Sequence, residues 1–327
     1  MNQPLLSQEI ILTLQQLRGI GNKTILSKIV SNVMSPISNL EDLLNFWSTV
    51  NGRLQSITPD DIKDANVVAK KIISQAEKEG VGIIAYYDRE YPDILRQCTD
   101  EKGNPDPPLV LFFRGNIKAL EMPGVAVIGT REPTPNGVSA GEYFAGELAK
   151  LGFNIVSGLA KGCDTSGHNG ALKVNGVTTA FLANGLDWKS IYPKENLELA
   201  KRIVVNNGLL LSEYPIGQSC GRYGLVARDR LQAGMAKATI VVQTGKDGGS
   251  MHAVNATIAS KKPLFAVEYK NEEDLSHEKV QGNIMLIRNK DAVPLSSKGI
   301  VSAVAIIRGA NSKQVKVEQP SLFDPSI

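Results

Sequence analysis

From the N-terminus to about residue 78, apolar positions fall at helical spacing. Ile10, Leu14 and Leu17 form one stripe, Ile25, Ile29 and Val30 a second, and Gly19 and Gly21 punctuate them. Leu40–Trp47 and Val67–Ala76 continue the pattern. The spacing predicts a small N-terminal all-helical domain over residues 1–78. From about Val81 the texture changes to short β-branched runs: Val81–Tyr86, Leu109–Phe113, Val125–Ile128, Asn154–Ser157, Thr178–Leu182, Leu209–Ser212, Thr239–Val242 and Leu264–Val267. Amphipathic stretches lie between many of them, at Gly137–Leu151, Thr165–Val174, Asn196–Asn206 and Ser250–Ser260. Strand and helix alternating at this pitch predict an α/β domain over 79–308, with a mostly parallel sheet covered by helices on both faces. Residues 309–327 are polar with two prolines and read as a flexible tail.

Composition narrows the classes. The 327 residues carry 36 Lys+Arg against 33 Asp+Glu, a formal charge of +3, which excludes a polybasic binder but leaves room for a local basic groove. Cys98, Cys163 and Cys220 are widely spaced and form no CxxC pair, so disulfides and structural zinc are not expected and a reducing cytoplasm is. His168, His252 and His277 offer no metal spacing, and neither a metal nor a cofactor is expected. The start, MNQPLLSQEI, does not read as a signal peptide. Apolar stretches such as Val301–Ile307 fall far short of the ~18–20 residues that span a bilayer, so no membrane association is expected.

In an open parallel sheet, ligands bind at the carboxyl ends of strands. Here those ends lead into glycine-rich turns with cations beside them. Gly129-Thr130-Arg131 follows one strand, and Ser157-Gly158-Leu159-Ala160-Lys161-Gly162-Cys163-Asp164 the next. Asn184-Gly185-Leu186-Asp187-Trp188, Ser212-Glu213-Tyr214-Pro215 with Arg222, Tyr223, Arg228 and Arg230, and Gly245-Lys246-Asp247-Gly248-Gly249-Ser250 complete the set. Glycine lets backbone amides approach a phosphate, helix starts supply unpaired N–H groups, and Arg or Lys supplies full charge. Neither GxGxxG after a strand nor GxxxxGK[ST] occurs, which disfavours a dinucleotide dehydrogenase or a P-loop ATPase.

The succession Gly129-Thr130-Arg131, Ser157-Gly158-Leu159-Ala160-Lys161-Gly162-Cys163-Asp164-Thr165-Ser166-Gly167-His168, Tyr192-Pro193-Lys194-Glu195-Asn196, Ser212-Glu213-Tyr214-Pro215 and Arg228-Asp229-Arg230 resembles the DNA-processing protein A (DprA/Smf) family. Pro107-Pro108-Leu109, Gly115-Asn116 and Gly249-Ser250 belong to the same pattern, and the likeness covers about residues 80 to 290. The resemblance implies an extended Rossmann-like domain that binds single-stranded DNA, forms a homodimer and helps load a RecA-type recombinase. The family's Arg-Asn-Arg is Arg228-Asp229-Arg230 here, its usual acid is Gln243, and its frequent C-terminal winged helix is not expected. A carboxylate at Asp229 would partly neutralise its neighbouring arginines.

A single strand is held by cations tracking its backbone and rings that stack on its bases. The candidates are Arg131, Lys161, Arg228 and Arg230 for phosphates, with Gly129, Thr130, Ser157, Gly158, Gly162, Gly249 and Ser250 supplying backbone or hydroxyl donors. Trp188, Tyr214 and Tyr223 are the stacking candidates, core packing being the other reading. No catalytic residue is assigned: Cys163 reads as a buried filler, His168 as a loop tie and Asp164 as a helix cap. Two alternatives stay open on the same fold, a nucleotide-binding sensor and a nucleotide phosphoribohydrolase-like enzyme, although Asp247-Gly248-Gly249-Ser250-Met251-His252-Ala253 lacks the carboxylate such enzymes use. Leu14 to Ile29, with Gly19-Ile20-Gly21, resembles a helix-hairpin-helix, or else a helix pair that only packs on its neighbour. In the tail, Gln319, Leu322 and Phe323 resemble a peptide that docks on the sliding clamp, with docking on its own domain as the alternative.

Overall fold

The computed structural model describes residues 4–50 and 52–309, leaving aside the side chains of residues 53, 222 and 223. Among the described residues nine strands form one sheet: β1 (Gly82–Ala85), β2 (Val110–Gly115), β3 (Gly124–Ile128), β4 (Asn154–Ser157), β5 (Thr178–Leu182), β6 (Leu209–Ser212), β7 (Ala236–Val241), β8 (Leu264–Val267) and β9 (Val293–Leu295). Their spatial order is β1-β2-β6-β5-β4-β3-β7-β8-β9. From β6 to β9 every neighbour is parallel, while β2 runs antiparallel to both β1 and β6. The expected mostly parallel sheet with helices on both faces is the fold observed.

Helices of eight or more residues are α1 (Gln8–Gln16), α2 (Leu40–Trp47), α3 (Pro59–Lys78), α4 (Pro135–Lys150), α5 (Cys163–Lys173), α6 (Leu197–Val205), α7 (Arg222–Met235), α8 (Met251–Ala259), α9 (Gln281–Arg288) and α10 (Ile300–Ile307). Alternation along β3 assigns the faces. Val125 and Val127 share a core with Phe144 and Leu148 of α4 and Ala303 of α10, whereas Ala126 and Ile128 point the other way, to Val254 of α8 and Leu286 of α9. Leu231 and Met235 of α7 pack on the second face with Val156 and Phe181.

The N-terminal helices do not have a core of their own. Leu6, Ile10, Leu14, Ile62 and Ala69 are continuous with Val110, Phe112 and Leu210 of the sheet. α3 begins at a capping box, where Thr58 and Asp61 bond each other's backbone and Pro59 sits at the first turn. After α1, Gly19 turns the chain at φ +80°. The following segment is a helical turn (Asn22–Thr24), a π-helical turn (Ile25–Ile29) and a 3-10 turn (Val30–Asn32) rather than one regular helix. Among the described residues no helix is long and apolar enough to cross a membrane.

Sequence patterning missed β9, α7, α9 and α10. The reason is clearest at α7, whose stretch RYGLVARDRLQAGM turns arginines inward and carries glycine at both ends, so it shows no amphipathic stripe.

Candidate nucleic-acid interface

From β3 the chain winds through β4, β5 and β6 on one side, then returns to place β7, β8 and β9 on the other. The carboxyl ends of β3 and β7 therefore flank the switch point, where such sheets open a crevice. Gly129–Glu132 and Thr244–Ser250 line a cleft of about 840 Å³ there. α7 walls it with Leu225, Val226, Arg228, Asp229 and Gln232, and His252 of α8 also faces it. Beside it lies a pocket of about 250 Å³, floored by Leu159, Phe181, Leu182 and Ala183 and rimmed by Arg131, Lys161, Asn184 and Tyr192. Arg131, Leu225 and Arg228 belong to both spaces.

Two of the expected phosphate-binding glycines serve loop packing. A Cβ on Gly129 would sit 2.6 Å from Cys163 Sγ and from the Gln243 carbonyl oxygen. Gly162, at φ +79°, would place one 2.5 Å from the Thr130 carbonyl oxygen. This close approach lets Cys163 N donate to Thr130 O at 3.0 Å and Thr130 N to Gln243 O at 2.7 Å, tying the ends of β3, β4 and β7 together. Ser157 is wholly buried and donates to the Val127 carbonyl at 2.6 Å, so it is removed from the phosphate set. His168, also wholly buried, ties the Gly158 carbonyl to Thr178 at 2.5 and 2.6 Å, the tie expected of it. Burial pushes the Cys163 thiol up to about 12, far from nucleophilic range.

Arg228 occupies the centre. Only 6% exposed, it lies across Gly158 so closely that a Cβ there would be 1.4 Å from Nη1. Its Nη1 is 3.7 Å from Asp164 Oδ2 and its Nε 3.4 Å from Asp229 Oδ1. Nε and Nη1 have no hydrogen-bond partner among the described residues. Asp164 is not the cap of α5, whose N-cap is Gly162; it accepts instead from Ala160 N at 3.1 Å. Burial lifts the Asp229 carboxyl to about 6 even though Arg228 pulls it down.

Charge is unevenly divided between the two spaces. The larger cleft sets Arg131, Arg228, Lys246 and Lys279 against Glu132, Asp164, Asp229, Asp247 and Glu278. The smaller pocket is lined by Arg131, Lys161 and Arg228 with Glu132 as the one carboxylate among its described lining residues. Lys161 is exposed and ion-paired with the exposed Glu195, an interaction of the kind that a phosphate displaces at little cost.

A polar brace holds the β3 loop. Asp274, 1% exposed, accepts from Thr134 Oγ1 and Asn136 Nδ2 at 2.8 Å and from Asn271 Nδ2 at 2.6 Å. Burial raises this carboxyl, but those donors outweigh it and hold it below the ordinary value. Gln243 Nε2 donates to Thr134 Oγ1 at 2.8 Å and its Oε1 accepts from Thr134 N at 2.9 Å. Gln243 thus occupies an expected acid's place as a neutral two-way bridge.

Other expected site residues lie elsewhere. Arg230 is corrected: its guanidinium is held bidentately by Glu213 at 2.8 and 2.9 Å and by Asp106 at 2.6 Å, and it lines neither space. Burial opposes its charge, yet Glu213 and Asp106 hold it protonated. Trp188 is half-buried with the Arg114 guanidinium 4.6 Å from its ring centroid, packed beside the N-terminal helices rather than on the cleft. Tyr214 is half-buried and lines neither space. The Tyr223 side chain and Gln319, Leu322 and Phe323 lie outside the described residues. Gly249 and Ser250 do line the cleft, Ser250 Oγ lying 2.7 Å from Thr244 Oγ1. Sequence reasoning passed over Gln232, Tyr192 and Asp274. The 47% exposure of Tyr192 beside Pro193 is a structural signal, and Gln232 follows Arg228 by one helical turn.

Comparison with known proteins bears on this geometry. Residues 82–305 match the model of the DNA recombination-mediator protein A family. Protein Smf of Synechocystis is 34% identical over 224 residues, 67% of this chain and 53% of that protein. DNA processing protein DprA of Bacillus subtilis is 30% identical over 241 residues, 69% of this chain and 78% of that protein. The alignment thus spans little more than half of the Synechocystis relative. Among solved structures, DNA processing protein A of Streptococcus pneumoniae superposes with a TM-score of 0.72 at 26% identity, covering 93% of this chain and 98% of that one. The Helicobacter pylori protein, whose structure concerns its binding of single-stranded DNA, gives 0.57 at 29% identity over 70% and 96%. The chain belongs to the DNA recombination-mediator protein A family.

Proposed function

We propose that this chain binds single-stranded DNA along the carboxyl edge of its sheet, as a recombination mediator rather than an enzyme. The observation that carries the reading is the gathering of Arg131, Lys161 and Arg228 around one apolar-floored pocket whose own lining includes one carboxylate, Glu132. Phosphates of a strand passing over that rim would meet the exposed Arg131 and Lys161 above the buried Arg228, and Tyr192 offers an exposed ring for a base. Membership of the family and the single-strand binding of the Helicobacter pylori relative support it. The test is titration of labelled oligo-dT against duplex DNA: the single strand should bind more tightly, and Arg131→Ala and Lys161→Ala should each weaken it by about 1–3 kcal/mol.

The finer parts of the proposal are a homodimer in the cytoplasm, an N-terminal helical domain over residues 1–78 that shares its core with the DNA-binding domain over 79–308, and delivery of the strand to a RecA-type recombinase. Sedimentation velocity reads the first, and recombinase filament assembly on protein-coated single strands reads the last. The tail residues Gln319, Leu322 and Phe323 would dock on a sliding clamp. A tail peptide that does not change anisotropy with clamp protein removes that element.

A further inference from the structure

Among the described residues four buried side-chain polar atoms lack a hydrogen-bond partner: Trp47 Nε1, Arg228 Nε and Nη1, and Gln232 Oε1. Three of the four sit one helical turn apart on α7, in residues that wall the larger cleft. An unpaired buried donor or acceptor is costly to the fold, so three such atoms around one space call for a partner that the described residues do not supply.

The patch has a definite polarity. Gln232 Nε2 donates to Asp229 Oδ1 at 2.9 Å, which turns the amide oxygen away from the carboxylate. The opposite amide orientation would set two oxygens against each other. Arg228 thus presents two N–H donors that lie at ion-pair distance from Asp164 and Asp229 but make no hydrogen bond, and Gln232 Oε1 with the second oxygen of Asp229 presents two acceptors. A phosphate, with acceptors alone, leaves both of those oxygens unmatched and meets the Asp229 charge. A nucleobase edge suits the patch better. Guanine shows two neighbouring acceptors, O6 and N7, followed by two donors, N1–H and N2–H, and arginine to O6 and N7 is the commonest specific pairing. Cytosine would use both donors but only one acceptor, and thymine and adenine fit less of the pattern.

We propose that Arg228, Asp229 and Gln232 read a guanine base in the larger cleft while the phosphates lie over the Arg131–Lys161 rim. This rests on the strand-binding reading above and adds a base preference to it. The near balance of acids and bases in the larger cleft accords with a neutral base there and phosphates next door. All three unpaired atoms are shielded from solvent, so contact requires side chains such as Val226, 39% exposed on the cleft wall, to rotate on binding.

The experiment is anisotropy with oligo-dT hosts carrying one central substitution. A single dG should tighten binding about tenfold over dT, the scale of one good base-edge pair. Hypoxanthine, lacking the N2 amino group, and 7-deazaguanine, lacking N7, should each lose most of that gain, and these arms need no protein variant. Asp229→Asn, which replaces one carboxylate oxygen by an N–H donor, and Gln232→Leu should abolish the gain in protein shown to be folded by its melting curve. Free GMP competing as well as the dG strand would assign the same guanine chemistry to a free nucleotide, whereas failure to compete assigns it to the strand. Equal binding of dG and dT hosts overturns the inference and leaves strand binding intact. Failure of every oligonucleotide to bind overturns the strand-binding reading, and this one with it.

Discussion

Replacing Gly158 with alanine places a methyl group where Arg228 lies. The added Cβ would be 1.4 Å from Nη1, 2.5 Å from Cζ and 2.5 Å from Asp164 Oδ2, so the guanidinium must leave its seat. Two buried carboxylates, Asp164 and Asp229, then lose their shared cation. Removing one member of a buried ion group costs about 3–5 kcal/mol. Protonation of Asp229, already lifted to about 6, relieves part of this, so a loss nearer ~3 kcal/mol is expected. For a chain of this size that lowers the melting midpoint by roughly 4–5 °C. Strand affinity should fall about 10- to 100-fold, the worth of one charge-assisted contact. The decisive assay is a double-mutant cycle with Arg228→Ala, read both by thermal melting and by oligo-dT anisotropy. Once Arg228 is truncated only the 2.5 Å approach to Asp164 Oδ2 remains, so the double variant should lose far less than the sum of the two single losses in both melting and binding. A Gly158→Ala protein with wild-type melting and affinity, or losses that simply add in the double variant, would refute the placement of Arg228.

Other outcomes follow from the same geometry. Asp229 has a folded-state value raised to about 6 against roughly 3.9 when unfolded, so the folded state binds the extra proton and stability falls as pH rises through that window. Asp229→Asn should therefore stabilise the protein at neutral pH by on the order of 2 kcal/mol, with the gain fading below about pH 4, and should tighten oligo-dT binding by removing a charge beside Arg228. Arg230→Ala should destabilise by about 3–5 kcal/mol through the stranded Glu213 and Asp106, while the folded fraction binds strand normally. Asp274→Ala leaves Thr134, Asn136 and Asn271 without their shared acceptor, and should speed amide exchange across residues 130–137 more than elsewhere.

The sheet was legible because its strands are apolar on both faces, so runs such as Val125–Ile128 and Leu209–Ser212 stand out in any window. Arg131, Lys161 and Arg228 were legible as cations beside strand ends, and the structure brings them together. What escaped was any residue whose role depends on direction. Nothing local distinguishes Arg230 from Arg228: two positions along α7, one guanidinium is clasped by Glu213 and Asp106 and the other is left with unused donors. Ser157 sits in an expected turn, yet its hydroxyl is spent on the Val127 carbonyl, and Gly129 borders the cleft while the face that a Cβ would occupy is filled by Cys163 and Gln243. Trp188 looked like a stacking ring because its turn follows β5, but its ring is turned toward Arg114 and the helical core. Asp274 contributes to the brace from a position 140 residues beyond Thr134, a separation no motif spans.

The most direct measurement is the salt dependence of oligo-dT affinity. Two phosphates neutralised at the exposed Arg131 and Lys161 should give a slope of log affinity against log salt of about −1.4, at roughly 0.7 per phosphate, falling by about one phosphate's share in Lys161→Ala. A slope near zero, or one that Lys161→Ala leaves unchanged, would contradict a cationic rim that carries the strand.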